Sequence, residues 1–178
     1  ATIRRQRQMC IRDSSYALND ILKNEPAKRM NTSLAEVDRV LGGGLLPGSL
    51  ILLGGSPGVG KSTLSLHICS ELNQKSLYFS AEESEEQVAI RARRLGIKTE
   101  NLFLSGESDL NGIVPHIDRM EPKFVIIDSI QTIFNSDLDS LPGSPSQIKD
   151  CGQKFLEIAK SKNITCLLYT SPSPRDIG

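Results

Sequence analysis

The chain has 178 residues, with 21 basic and 21 acidic side chains, 38% hydrophobic and 24% charged content. Those values describe a single globular domain able to bury roughly 68–70% of its unfolded surface, and they lack the basic excess of a general nucleic-acid binder. No run of ~18 apolar residues marks a membrane span and no apolar leader opens the sequence, so the expected setting is the cytoplasm.

The first dozen residues, ATIRRQRQMCIR, hold Arg4, Arg5, Arg7 and Arg12 and almost no apolar pattern. The string MCIRDS resembles translated sequencing-adapter read-through, and so does LLYTSPSPRD near the other end. Residues 1–14 and 166–178 are therefore expected to be foreign to the protein, as a tag would be. A basic nucleic-acid arm is the alternative for the first of these. Between them, 15–47 reads as a linker and opening helix, and 48–165 as an incomplete core.

Residues 34–41 (LAEVDRVL) predict a short helix with Leu34, Val37, Val40 and Leu41 on one face. Gly42, Gly43 and Gly44 stop it, and Pro47-Gly48 makes a turn. The apolar run 49–53 predicts a buried strand, followed by a Gly-rich loop and a helix over about 61–72. A second strand is expected at 76–80. Ser84 with Gln87 has the form of a capping box and opens a helix that stops at Gly96. A third strand at 101–104 precedes a helix over 111–120 that Pro115 is expected to disturb. Phe124, Val125, Ile126 and Ile127 form a fourth strand. The helix over 147–160 turns Ile148, Cys151, Phe155, Ile158 and Ala159 inward, and Ile164 begins a fifth strand that is soon lost. Alternating strands and helices predict an α/β fold, a mostly parallel sheet with helices on both faces. Ligands on such sheets bind at the carboxyl ends of the strands.

GGSPGVGKST supplies Gly55, Ser56, Pro57, Gly58, Val59, Gly60, Lys61, Ser62 and Thr63, a full Walker A pattern between a strand and a helix. Backbone N–H groups of such a loop turn inward around phosphate oxygens, and the helix start adds its positive end. Lys61 is expected on the β- and γ-phosphates of ATP, Ser62 on Mg²⁺, and Thr63 near the α-phosphate. Asp128 ends the fourth apolar strand, read as adjacent to the phosphate-loop strand, where a Walker B carboxylate would hold the same Mg²⁺. Glu82 and Glu83 follow the second strand, also read as ending beside the phosphate loop. Glu82 is the expected base that orients the attacking water, with Glu83 as runner-up, while Glu85 and Glu86 suit a helix start. His67 and His116 lack a paired carboxylate or metal partner and are expected to pack or lie at the surface. Cys10, Cys69, Cys151 and Cys166 form no CxxC pair, so neither zinc nor a disulfide framework is expected.

Three stretches carry a resemblance: TSLAEVDRVLGGGLLPGSLILLGGSPGVGKSTL, LYFSAEESEEQVAIRARRLG, and VIIDSIQTIF followed by LPGSPSQIKDC. Together they resemble the RadA (Sms) family of bacterial DNA repair proteins, a RecA-like P-loop ATPase family, over residues 32–164. The resemblance implies that 48–165 is a RecA-like ATPase core and that Glu82 stands at the catalytic glutamate. It implies that Ser129, Gln131 and Thr132 sense the γ-phosphate. It implies that the loop bounded by Asn135 and Ser146 faces single-stranded DNA, although that loop carries Asp137 and Asp139 and no Lys or Arg; a plain surface connector is the alternative. It further implies ATP hydrolysis coupled to recombination intermediates and a homo-oligomeric ring. The family's zinc ribbon, KNRFG motif and protease-like domain have no counterpart here, so the chain reads as an internal piece. A KaiC-like ATPase or autokinase, and a non-catalytic nucleotide-binding module, are the rival readings.

Overall fold

Short apolar runs rich in Leu, Ile, Val and aromatics are too brief for buried helices and too continuous for a half-exposed sheet, so they pair as the strands of a covered parallel sheet. The computed structural model describes residues 18–23 and 25–170. Its elements are α1 (Leu18–Leu22), α2 (Ala35–Val40), β1 (Leu50–Gly54), α3 (Lys61–Leu72), β2 (Ser76–Ser80), α4 (Glu85–Arg94), β3 (Leu102–Ser105), α5 (Leu110–Met120), β4 (Phe124–Asp128), α6 (Pro145–Lys162) and β5 (Thr165–Thr170). The five strands form one sheet in the order β1-β5-β4-β2-β3, every pair parallel. This is the α/β core of a RecA-like P-loop NTPase. The reading of residues 1–14 as foreign falls outside the described residues, and so does the part of 166–178 beyond Thr170; residues 166–170, read as foreign with them, form most of β5.

Successive strand residues point to opposite faces, and the two faces bury different sets. Val125 and Ile127 of β4 pack with Leu77 and Phe79 of β2 under Ile113 and Ile117 of α5 and Cys151, Phe155 and Ile158 of α6. Phe124 and Ile126 pack instead with Tyr78, Leu167 and Tyr169 under Leu66, Ile68, Cys69 and Leu72 of α3 and Val88 of α4. Asp128 continues the second series, so its carboxylate leaves the sheet on the α3 side. This parity brings it to the phosphate loop.

Four details depart from the sequence reading. β1 and β4 are not neighbours, because β5 lies between them; β2 is farther still from β1. A parallel crossover places a strand by where its helix packs, and neither apolar pattern nor chain order encodes that position. The fifth strand is not lost but runs through Thr170 between β1 and β4, with Cys166, Leu167, Leu168 and Tyr169 buried. Pro115 lies inside an unbroken α5. In α2, Val40 is 80% exposed rather than part of an inward face, and the buried residue is Asp38. His116 packs edge-on to Phe79 with ring centroids 5.9 Å apart. Cys69, Cys151 and Cys166 are free, buried thiols, and burial pushes Cys69 and Cys166 up to about 12 and Cys151 up to about 11. Among the described residues no helix is long and apolar enough to cross a membrane.

Candidate nucleotide site

The loop after β1 turns back through Gly58 and Gly60, whose φ values of 81° and 99° lie in the left-handed region that favours glycine. Gly60 is the residue that caps α3, so the backbone N–H groups of the helix's first turn open onto the loop. Lys61 bends its ammonium over the loop and donates to the carbonyls of Gly55 at 2.5 Å and Ser56 at 3.1 Å. On the next helical position, Ser62 Oγ donates to Asp128 Oδ2 at 3.1 Å. A cavity of about 360 Å³ is lined here by Lys61, Ser62, Thr63, Glu82, Glu83 and Asp128, with Pro57, Gly58, Gly60 and Arg91. Lys61, Ser62, Thr63, Glu82, Glu83 and Asp128, singled out in the sequence for phosphate, metal or base chemistry, thus meet at one end of the sheet, although the phosphate-loop strand neighbours neither β4 nor β2. Gly55, Ser56 and Val59 lie in the loop itself without lining the cavity. Gln131 does not line it either; its backbone carbonyl faces Gly143 in the loop beyond β4.

Glu82 and Glu83 have different partners. Glu82 Oε1 accepts from Ser129 Oγ at 2.7 Å. Glu83 Oε1 accepts from Arg91 Nη2 of α4 at 2.5 Å, and its backbone is held by Ser80 Oγ, which bonds both its N–H and its carbonyl. The hydrogen bond to Glu83 raises the pKa of Arg91 further, against a smaller opposing effect of burial. Thr132 Oγ1 donates to the carbonyl of Ser129 at 2.7 Å and so braces the residue that holds Glu82. The peptide between Asp128 and Ser129 is cis.

The sequence reading missed three residues. Tyr78 and Arg91 fall inside the stretch LYFSAEESEEQVAIRARRLG without being singled out there, and Tyr169 lies in β5. Tyr78 donates to Asp128 at 2.6 Å, and Tyr169 donates to the carbonyl of Lys61 at 3.1 Å. A signal for Arg91 was present: it stands two helical turns after Glu83, close to where a helix returns to the same side. Burial pushes the Asp128 carboxyl above the usual carboxylate range; bonds from Tyr78 and Ser62 oppose this, and the charges of Glu82 and Glu83 add to it. Burial and the neighbouring charges push the Tyr78 phenol well above its ordinary value.

One hydroxyl and one carboxylate in mutual contact form an all-oxygen donor pair. It fits a hard cation such as Mg²⁺ that draws its other ligands from phosphate and water. Among the described residues no group of three or more His, Cys, Asp or Glu side chains could hold a metal.

A protein-family model described as an AAA domain matches residues 19–170. The chain is 45% identical over 150 residues to the DNA repair protein RadA of Listeria monocytogenes, covering 83% of this chain and 33% of that protein. It is 48% identical over 139 residues to the DNA repair protein RadA of Bacillus subtilis, covering 76% and 30%. For the DNA repair protein RadA of Streptococcus pneumoniae the identity is 42% over 142 residues, covering 79% and 34%. The chain therefore spans about a third of the length of the curated relatives it matches.

Proposed function

The chain belongs to the AAA domain family and is a relative of the RadA DNA repair proteins, and from that premise we propose that it is a Mg²⁺-dependent ATPase core that serves DNA repair. The observation that carries the reading is the 3.1 Å contact between Ser62 and Asp128, two residues 66 positions apart. Chance would not bring a phosphate-loop hydroxyl and a strand-end carboxylate together on one cavity. The loop from Gly55 to Thr63 would hold the phosphates with backbone N–H groups, and Lys61 would exchange its loop carbonyls for the β- and γ-phosphates. Ser62 and Asp128 would hold Mg²⁺, which when bound neutralises charge on the phosphates.

Glu82 is the base in this proposal. Its neighbour Glu83 is engaged by the Arg91 cation, whereas among the described residues the side-chain partner of Glu82 is the neutral hydroxyl of Ser129. Gln131 and Thr132 act behind it, as braces for Ser129 or reporters toward the loop after β4. Single-stranded DNA is the partner that the kinship suggests, and a ring of copies is the assembly. The loop bounded by Asn135 and Ser146 is the proposed DNA-facing segment. It is tied down by Gln147, which accepts from the Asn135 N–H and donates to the carbonyls of Asn135 and Ser140. It contains no Lys or Arg, so the cations that DNA phosphates require would come from outside it.

Two variants test the reading. Lys61→Ala abolishes ATP binding in a titration; an unchanged affinity removes the phosphate-loop assignment. Glu82→Gln retains ATP but loses phosphate release by about 10²-fold or more, with and without single-stranded DNA. Normal turnover in that variant would pass the role to Glu83. ATP bound by the unaltered chain with no turnover under any condition would favour the non-catalytic nucleotide-binding module.

A further inference from the structure

Tyr78 belongs to no motif and lines no part of the cavity, yet it touches the residue on which the metal assignment depends. It is fully buried and lies in β2 opposite Ile126, two residue pairs before Ser80 meets Asp128. Tyr78 and Asp128 are thus diagonal neighbours on one face of the sheet, a spacing that a long aromatic side chain spans. Its hydroxyl donates to Asp128 Oδ2 at 2.6 Å, and Ser62 donates to the same oxygen at 3.1 Å.

A core position asks only for the ring, which phenylalanine would supply. A buried hydroxyl costs free energy unless it is bonded, and here its bond is a short one to a carboxylate. The terminal torsion of an aspartate is broad and easily turned. Two donors converging on one oxygen fix that torsion, and only one of them, Ser62, belongs to the phosphate loop. The other comes from the core and stays in place whatever occupies the loop.

We propose that Tyr78 is a positioning residue that fixes the orientation of the Asp128 carboxylate toward the metal–nucleotide, acting through Asp128 and never touching the ligand. The inference rests on the proposed role of Asp128, and the experiment separates the two. A fluorescent ATP analogue is titrated with Mg²⁺ in the wild-type chain, Tyr78→Phe, Asp128→Asn and the double variant. Tyr78→Phe raises the half-saturating Mg²⁺ by about tenfold, the lower end of what losing a charge-assisted hydrogen bond implies. Its affinity for the analogue in EDTA stays within about twofold of wild type, since no ligand contact is lost. Asp128→Asn raises the Mg²⁺ requirement too, and adding Tyr78→Phe to it changes nothing more, because the tyrosine acts only through the lost carboxylate.

A Tyr78→Phe chain with wild-type Mg²⁺ dependence, beside an Asp128→Asn chain with altered dependence, overturns the role of Tyr78 alone. Equal weakening in EDTA and in Mg²⁺, or additive effects in the double variant, overturns it as well, since that is the mark of general loosening. An Asp128→Asn chain with unchanged Mg²⁺ dependence removes the metal role of Asp128, and the inference with it.

Discussion

Asp38 shows how a single polar side chain can hold an element whose apolar content is too small. Its carboxylate accepts from the Thr32 backbone N–H at 3.0 Å and from the Thr32 hydroxyl at 2.8 Å. Thr32 is fully buried and Asp38 nearly so, so loss of the carboxylate takes the acceptor from the Thr32 donors, and loss of the Thr32 hydroxyl takes a donor from the carboxylate. Asp38→Ala is expected to lower stability by about 1–3 kcal/mol, with Asp38→Asn costing less because it keeps one acceptor oxygen. Denaturant unfolding of the three proteins reads the difference, and an alanine variant as stable as the wild type would refute it. A second constraint acts nearby: Gly44 has a φ of 121°, and a Cβ there would stand 2.4 Å from the Met30 carbonyl. The strand-like bridge between Met30 and Leu45 requires that close approach. A pattern of apolar spacing sees none of this. It placed Val40 inward, where the structure exposes it, and passed over Asp38, whose value depends on a partner six residues back.

At the scale of elements, local chemistry was well expressed in the sequence. α3 begins and ends where the Gly-rich loop and its apolar run place it, and α4 begins on the capping box: Ser84 Oγ accepts from the Gln87 N–H and Gln87 Oε1 accepts from the Ser84 N–H. Gly96, with φ of 71°, follows its end. Val88 is the buried residue of α4 and Ala92 packs partly against the same core, so the start of the helix adds to a small apolar hold on the sheet. Ser84→Ala is expected to lower stability by about 1 kcal/mol. Because α4 carries Arg91, the same change is expected to loosen the Arg91–Glu83 pair; a shift in the midpoint of urea unfolding checks the first effect, and its absence would show that packing around Val88 alone seats the helix. What was not legible was neighbourhood. The motifs gave Ser62, Asp128, Glu82 and Glu83 by type and position, but Asp128 and Glu83 are also held by Tyr78 and Arg91, ordinary core and surface residues until the sheet is assembled. Distances across a sheet depend on strand order, which local pattern does not carry.

For the whole molecule, strand order decides what the site depends on. β1, which carries the phosphate loop, pairs with β5, and β5 in turn pairs with β4, which carries Asp128. Removal of residues 165–170 would leave β1 with no strand beside it among the described residues, and open the face where Tyr169 and Leu167 pack. Such a deletion is expected to abolish both cooperative melting and ATP binding even though no motif residue is lost; retention of either would show that β1 can dock without its neighbour. The strand that joins the two halves of the site follows both of them in sequence. Synthesis proceeds from the amino end, so on a ribosome the phosphate loop and its carboxylate partner are both made well before the strand that sits between them. Until residues 165–170 clear the exit tunnel, β1 has an open edge and an unclosed apolar flank, the kind of surface that nascent chains mispair and chaperones recognise. The two strands that carry the phosphate loop and Asp128 are thus joined only when residues 165–170 insert between them, after both motifs have emerged.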